Sequence, residues 1–141
     1  MIKIMFLCTG NTCRSQMAEG FAKSLGKDVL FPFSAGSLPA GIVHPNAILV
    51  MNELGIDISG QKSKDIDNDI VNFMNMVITL CGSGEASCPT TPPHIARIHW
   101  AVDDPVRARG TEEEIVGAFR KARDEIMTNM LELINSLKAK R

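Results

Sequence analysis

Residues 2–15 read IKIMFLCTGNTCRS, a short apolar run followed at once by a turn of small and polar residues. The apolar run is typical of a buried strand. Gly10 and Asn11 both tolerate a positive φ, so the turn can wrap tightly, and Ser15 can then begin a helix. The stretch therefore predicts a strand that passes through a tight loop directly into a helix.

Strands and helices are predicted to alternate along the rest of the chain. Apolar residues recur at helical spacing in residues 17–25, 45–54, 66–73 and 115–137. Thr111 and Glu114 form a capping box before the last of these helices. Short apolar runs predict three more strands, at residues 29–33, 76–80 and 95–100. This alternation predicts one α/β domain, residues 1–141, built on a parallel sheet.

Composition restricts the classes of function. The chain has 141 residues, of which 45% are hydrophobic and 22% charged, as in an ordinary globular domain. Its net charge of −1 argues against binding to nucleic acid or to an acidic membrane surface. We find no signal sequence and no apolar stretch near the roughly 20 residues that a membrane span needs. We expect a cytoplasmic monomer with neither nucleic-acid nor membrane partners.

The four cysteines are the residues in which function is most naturally sought. They are Cys8, Cys13, Cys81 and Cys88. A chain of this size has room for a core, and cytoplasmic cysteines stay reduced. Such a set is therefore more often catalytic, redox-active or metal-binding than a set of structural disulfides.

Chemically active residues follow several of the predicted strands. Cys8, Ser34, Cys81 and the Asp103–Asp104 loop each follow a predicted strand. Ligands of parallel sheets bind beyond the carboxyl ends of the strands. We therefore expect these residues to meet at one edge of the sheet.

The loop between Cys8 and Arg14 has the features of an oxyanion site. Backbone N–H groups in a strand-to-helix loop can surround a tetrahedral anion, and the planar fork of an arginine matches two of its oxygens. A helix N-terminus and an arginine also favour a cysteine thiolate, to which Ser15 could donate a hydrogen bond. The predicted anion-binding residues are Thr9, Gly10, Asn11, Thr12, Cys13 and Arg14. The alternatives are a buried core cysteine and a non-catalytic anion-binding loop.

Residues 8–15, CTGNTCRS, resemble the active-site loop of low-molecular-weight protein tyrosine phosphatases, and the stretch continues as QMAEG through residue 20. Residues 8–20 as a whole resemble still more the thioredoxin-coupled arsenate reductases built on that fold. Further segments similar to the reductases are residues 34–36, 56–59, 66–69, 77–81, 88–89 and 99–105. The resemblance covers nearly the whole chain. It implies a three-layer domain whose four-stranded parallel sheet has the order 2-1-3-4, with helices on both faces.

The resemblance also implies a general acid, since an oxygen that leaves phosphorus or arsenic needs a proton. Asp104, which precedes Pro105, matches the family's acid. Asp103 is the less favoured alternative. Without the Cys8 loop, the same Asp-Pro sequence would be read only as a turn.

Two further cysteines imply reduction in addition to phosphate-like chemistry. The resemblance implies that Cys8 attacks arsenate, that a Cys8–Cys81 disulfide forms as arsenite leaves, and that Cys88 then forms a Cys81–Cys88 disulfide. Thioredoxin would reduce that last disulfide, so no organic cofactor is needed. One alternative is a zinc site made of Cys81, Cys88, His94 and His99, and another is a pair of incidental thiols.

The resemblance also raises a cation site, because some members of the family hold a potassium ion behind the loop. Asn11, Glu19 and Ser34 match three of its ligand positions, and the remaining acidic position falls on Lys64. The Lys64 ammonium could therefore replace the ion, in which case the protein needs no metal.

The main competing function is a low-molecular-weight phosphatase that uses Cys8, Arg14 and Asp104 on phosphotyrosine or another phosphomonoester. Such phosphatases usually carry aromatic residues after the Asp-Pro pair, whereas here residues 106–110 read VRARG and the chain has no tyrosine. A redox-sensing or metal-responsive protein is a third interpretation. It predicts that Cys8→Ser leaves function intact.

Overall fold

A four-stranded parallel sheet lies at the centre of the protein, in a computed structural model that describes residues 1–81 and 91–140. Its strands are β1 (Ile2–Cys8), β2 (Leu30–Gly36), β3 (Met76–Thr79) and β4 (Ala96–His99). They are arranged in the order β2-β1-β3-β4, and every neighbouring pair is parallel. The predicted parallel sheet and its strand order are confirmed.

In the described ranges, four α-helices connect and follow the strands. They are α1 (Arg14–Leu25), α2 (Pro45–Asn52), α3 (Asn68–Asn72) and α4 (Glu112–Ala139), and a short 3₁₀ turn covers Pro105–Arg107. The predicted capping box is present, because Thr111 and Glu114 each bond the other's backbone at the start of α4. No helix within residues 1–81 and 91–140 has both the length and the apolar character needed to cross a membrane.

The two faces of the sheet have separate cores, since successive residues of β1 point to opposite sides. Ile4 and Phe6 face α1, α2 and α4, whereas Met5 and Leu7 face α3 and the loops beside it. Helices therefore lie on both faces, as predicted. The α1–α4 side carries the larger core, and α1 on that side begins at the loop that follows Cys8.

Strand β2 is longer than predicted, because it continues through Ser34, Ala35 and Gly36. Gly36 pairs with Cys8 in the β1–β2 register and also forms a bridge with Asp65. An apolar run could not indicate these positions, since the three residues are small or polar. Their pairing aligns β2 with the end of β1, where the Cys8 loop begins.

Candidate active site

Cys8 is the last residue of β1 and is almost completely buried, with 1% of its surface exposed. Its Sγ lies 2.9 Å from the Oγ of Ser15, a residue in the first turn of α1. Helix α1 begins at Arg14, so its positive N-terminal end adjoins the sulfur. The strand–loop–helix unit predicted from residues 2–15 therefore places a thiol, a hydroxyl and a helix terminus together.

Asn11 makes the tight turn of the loop. Its φ of 44° is in the left-handed region, which asparagine tolerates better than most residues. Its side-chain Nδ2 donates to Ser15 Oγ at 2.7 Å. Because that bond uses a lone pair of the serine oxygen, the serine's own hydrogen is available for the Cys8 sulfur. The geometry therefore allows the predicted hydrogen bond from the Ser15 hydroxyl to a Cys8 thiolate.

The carbonyl groups of the loop point outward, where a neighbouring segment satisfies them. The N–H groups of Leu38, Ala40 and His44 donate to the carbonyl oxygens of residues 9, 10 and 12, at 2.8–2.9 Å. The C=O and N–H of a trans peptide unit point in opposite directions. Carbonyls that face outward therefore turn the next N–H groups toward the interior of the loop, where an oxyanion could accept from them.

Arg14 connects this loop to the segments that follow strands β3 and β4. Its Nη1 donates at 3.0 Å to the carbonyl oxygens of both Leu80 and Val102, which follow β3 and β4. The side chain is among the largest fully buried ones in the described part of the chain. Its Nη2 lies 3.5 Å from Asp104 Oδ2. The guanidinium is thus fixed at the carboxyl edge of the sheet, beside the predicted acid.

Asp104 lies in the loop after β4 and caps the 3₁₀ turn, where its Oδ1 accepts from the Val106 N–H at 3.1 Å. Its side chain is 22% exposed. The Sγ of Cys13 lies 3.8 Å from the same Oδ1. Burial, together with the charges of Asp104 and Cys8, raises the pKa of the Cys13 thiol. Cys13 is therefore a neutral thiol beside Asp104, the predicted acid, and it interacts with Cys8, the predicted nucleophile.

Cys81 follows β3 directly and is 1% exposed. It is disulfide-bonded, whereas Cys8 and Cys13 are free thiols. Cys88 lies outside the described residues, so its predicted role stays a prediction. The described residues contain no group of three or more His, Cys, Asp or Glu side chains that could hold a metal ion. His99, one of the predicted zinc ligands, bonds Thr79 Oγ1 through Nδ1 at 2.6 Å.

Two ammonium groups, those of Lys23 and Lys64, lie beside Glu19, the carboxylate of the possible cation site. Glu19 is buried, and Ser34 Oγ donates to its Oε1. Lys23 Nζ lies 2.7 Å from Glu19 Oε2, and Lys64 Nζ lies 3.8 Å from Oε1. One buried carboxylate thus faces two positive charges, so this set of residues does not fit an additional potassium ion.

Several residues that shape the site escaped prediction. Gln16 is fully buried and bonds both Asn11 and the carbonyl of Lys62. Gly36 packs so closely on the loop that a Cβ would lie 2.5 Å from Thr9 O and 2.8 Å from Asn11 N. Ser63 Oγ donates to Gly10 O. Gln16 directly follows Ser15 in the sequence, which was a weak indication that it belongs to the site. The contacts of Gly36 and Ser63 depend on the tertiary structure and leave no pattern in the sequence.

The chain is similar in sequence to a known protein family and to arsenate reductases of several bacteria. The sequence pattern of the low molecular weight phosphotyrosine protein phosphatase family matches residues 3–141. Arsenate reductase of Bacillus subtilis is 54% identical over 129 residues, which are 92% of each chain. Arsenate reductase of Oceanobacillus iheyensis is 50% identical over 123 residues, 87% of this chain and 88% of that relative.

Solved structures show the same similarity. An arsenate reductase in the phosphate-binding state is 39% identical with a TM-score of 0.79, covering 97% of this chain and 99% of that chain. A thioredoxin-dependent arsenate reductase of Corynebacterium glutamicum is 26% identical with a TM-score of 0.78, covering all of this chain and 64% of the other. An arginine phosphatase of Geobacillus stearothermophilus, 22% identical, shares the fold with a TM-score of 0.78.

Proposed function

This chain belongs to the low molecular weight phosphotyrosine protein phosphatase family, and we propose that it reduces arsenate to arsenite with electrons from thioredoxin. One observation carries the proposal. A free cysteine lies in an oxyanion loop, and Arg14 links that loop to the end of β3, where a second cysteine is disulfide-bonded. The arsenate reductases among its relatives support this choice within the family.

The first step is the capture of arsenate. The inward N–H groups of the loop and the Arg14 guanidinium bind the oxyanion beside Cys8 Sγ. The Cys8 thiolate, which accepts the Ser15 hydroxyl hydrogen, attacks arsenic and forms a sulfur–arsenic bond. Asp104, in its protonated form, gives its proton to a hydroxyl group of arsenate, which leaves as water as the sulfur–arsenic bond forms. Arsenic is still pentavalent in this adduct.

The second step transfers two electrons to arsenic. The Cys81 thiolate attacks the sulfur of Cys8, and a Cys8–Cys81 disulfide forms. The sulfur–arsenic bond breaks, and its electron pair stays on arsenic, which leaves as arsenite. The carbonyl group of Leu80, which belongs to the peptide bond to Cys81, accepts a hydrogen bond from the Arg14 guanidinium. The backbone that carries the second cysteine is therefore held beside the anion-binding group.

The third step regenerates the nucleophile. Cys88 attacks Cys81, which releases the Cys8 thiolate and leaves a Cys81–Cys88 disulfide. Thioredoxin reduces that disulfide with its own two thiols. A reduced nucleophile between cycles fits a cytoplasmic protein, and the chemistry needs only one copy of the chain.

We also propose that activity does not depend on potassium. The ammonium groups of Lys64 and Lys23 already neutralise Glu19. The backbone N–H of Lys64 donates to Asn11 Oδ1 at 2.8 Å, which also holds Lys64 beside this site. Adding potassium chloride at constant ionic strength, with sodium chloride as the control, should leave arsenate reduction unchanged. Strong and specific stimulation by potassium would show that the lysine does not take the place of an ion.

The alternative is a phosphomonoester phosphatase, which the Cys8 loop and Asp104 would equally suit. The residues after Pro105 argue against a phosphotyrosine substrate. Phosphatases of this type usually carry aromatic side chains there, which pack against the phosphotyrosine ring, whereas this chain has Val106 and Arg107. Weak hydrolysis of small phosphate esters is expected as a side activity, since phosphate and arsenate are tetrahedral anions of similar shape.

A thioredoxin-coupled assay of arsenate turnover separates the two functions. Cys81→Ser should abolish arsenate reduction with thioredoxin while preserving any hydrolysis of p-nitrophenyl phosphate. Cys8→Ser should abolish both activities. A protein that hydrolyses the ester efficiently but releases no arsenite would be a phosphatase, and the proposed function would be wrong.

A further inference from the structure

The amide side chains of Asn11, Gln16 and Gln61 form a continuous hydrogen-bonded row behind the Cys8 loop, in which Asn11 and Gln16 are buried and Gln61 is partly exposed. Gln61 Nε2 donates to Gln16 Oε1 at 2.8 Å. Gln16 Nε2 donates to Asn11 Oδ1 at 3.0 Å, and Asn11 Nδ2 donates to Ser15 Oγ at 2.7 Å. The row ends at Ser15, 2.9 Å from the Cys8 sulfur. None of these three amides contacts the anion-binding interior in the mechanism above.

Backbone groups of the adjoining segment determine which way each amide faces. The N–H of Lys64 can only donate, and it bonds Asn11 Oδ1 at 2.8 Å. The carbonyl of Lys62 can only accept, and it receives Gln16 Nε2 at 2.9 Å. Because an amide presents a donor on one side and an acceptor on the other, the Lys62 carbonyl fixes the orientation of the Gln16 amide. Gln16 Nε2 and the Lys64 N–H are then the two donors that hold Asn11 Oδ1 away from Ser15.

The direction of the row matters for the nucleophile. With Asn11 Nδ2 directed at Ser15, the serine oxygen accepts and its hydrogen is left for Cys8. If the Asn11 amide were reversed, its Oδ1 would attract the serine hydrogen. Ser15 would then present a lone pair to the sulfur, which disfavours the thiolate.

We propose that Gln16, supported by Gln61, is a positioning residue that keeps Asn11 oriented so that the Ser15 hydroxyl donates to the Cys8 thiolate. Gln16 Nε2 lies 3.0 Å from both the side-chain and the backbone oxygen of Asn11, which share one of its two hydrogens while the other is directed at the Lys62 carbonyl. Gln16 thereby contacts both oxygens of Asn11, a residue whose positive φ must be held by its surroundings.

This inference rests on the proposed function only in taking Cys8 as the nucleophile, and its test does not involve arsenic. The rate at which iodoacetamide alkylates Cys8 in the reduced protein is measured from pH 4 to 10, with the modified peptide identified by mass. Cys13 interacts electrostatically with Cys8, and it also interacts with Arg14 and Asp104. All of them are unchanged in the variants.

Gln16→Met keeps the length of the side chain and removes its amide. The pH profile of Cys8 alkylation should move to higher pH, with a rate at pH 7 lower by roughly fivefold. Ser15→Ala should lower that rate by about tenfold, since a hydrogen bond to a charged group is lost. Adding Gln16→Met to Ser15→Ala should have little further effect, because the two residues act through one bond.

The matched control is Asn75→Leu. Asn75 Oδ1 accepts from the Lys3 N–H at the opposite edge of the sheet, so its loss should leave the Cys8 profile unchanged. Gln61→Met, on the partly exposed end of the row, should shift the profile in the same direction as Gln16→Met but less. It provides the test if Gln16→Met does not fold.

Two results would overturn the proposal. The first is a Gln16→Met or Gln61→Met protein of lowered Tm whose alkylation profile matches the wild type, which would mean a purely structural role. The second is a Gln16→Met effect that multiplies in full with that of Ser15→Ala, since the glutamine would then act on Cys8 by another route. If the variants show the expected alkylation shifts but the wild-type protein releases no arsenite with thioredoxin, the proposed function is wrong and this inference still stands.

Discussion

The loop that carries Cys8 and the loop that carries Asp104 both follow a parallel strand at the same edge of the sheet, but they are held differently. The Cys8 loop receives hydrogen bonds from residues 38–44, from the 61–64 segment and from its own helix. The Asp104 carboxylate meets one backbone N–H, one thiol and one edge of Arg14, and it is partly exposed.

The difference corresponds to two chemical tasks. A cradle for a tetrahedral anion stabilises developing charge only if its donors are already in place, so a closely bonded loop suits it. A general acid must approach the leaving oxygen and exchange its proton with water, so a partly exposed carboxylate suits that task. Arg14 is the bridge, because it bonds the strand ends and also reaches Asp104.

Asp104→Asn should have the largest effect on chemistry and a small effect on binding. Loss of a general acid costs about 10²- to 10⁴-fold in rate. The rate of arsenite release is measured in a single turnover, and phosphate affinity is measured by calorimetry. If phosphate affinity falls as much as the rate does, Asp104 belongs to the anion cradle, and the contrast between the loops is incorrect.

Gly36→Ala should have the opposite effect, because it presses on the backbone of the Cys8 loop. A Cβ at this position would lie 2.5 Å from the Thr9 carbonyl oxygen. Overpacking of this kind costs about 1–3 kcal/mol. Phosphate binding should weaken by about 5- to 100-fold, with a lowered Tm.

Gly117→Ala is the matched control for Gly36→Ala, since nothing lies within 4 Å of a Cβ at Gly117. It should preserve phosphate affinity and should not lower the Tm. Normal phosphate binding by Gly36→Ala would mean that the loop adjusts easily and is not held as closely as proposed.

Cys13→Ala tests the contact between the two loops and should have a smaller effect. The thiol lies 3.8 Å from Asp104, a weak contact, so the rate of arsenate reduction should change by less than about threefold. Because its pKa is raised, Cys13 should also resist alkylation at pH values at which Cys8 reacts. Peptide mass spectrometry of the alkylated protein checks this, and rapid labelling of Cys13 at pH 7 would contradict it.

Glu53→Gln, far from both loops, should have the smallest effect on activity. Hydrogen bonds from Arg120 and then Arg123 lower the pKa of Glu53 from 4.5 to about 2. The unfolded chain takes up the proton at higher pH than the folded one, so this contribution is complete above pH 4.5 and is lost as the pH falls toward 2. Denaturant unfolding at pH 3 and 7 should show a smaller acid loss of stability for the variant than for the wild type.

The sequence was sufficient for features that depend on neighbouring residues. The passage from β1 through Gly10 and Asn11 into α1 is local, and so is the capping box at Thr111. The meeting of Cys8 and Asp104 at one edge follows from parallel strands, so it too could be predicted.

The features that could not be predicted join residues far apart in the chain. Backbone donors at Leu38 and Ala40 leave no trace in side-chain patterns, because any residue carries an N–H. The row from Gln61 through Gln16 depends on a loop that packs against α1 from 45 positions away. Ser34 was expected beyond a strand end, whereas it pairs with Phe6 inside β2 and its hydroxyl bonds Glu19.

The relay of three sulfurs is tested most directly by the stoichiometry of Cys88→Ser. The reduced variant is mixed with excess arsenate, and arsenite and disulfide-linked peptides are measured before and after thioredoxin is added. One arsenite per protein should appear, together with a Cys8–Cys81 disulfide, and further turnover should stop. Continued turnover of Cys88→Ser with thioredoxin, or a burst without the Cys8–Cys81 disulfide, would contradict the relay.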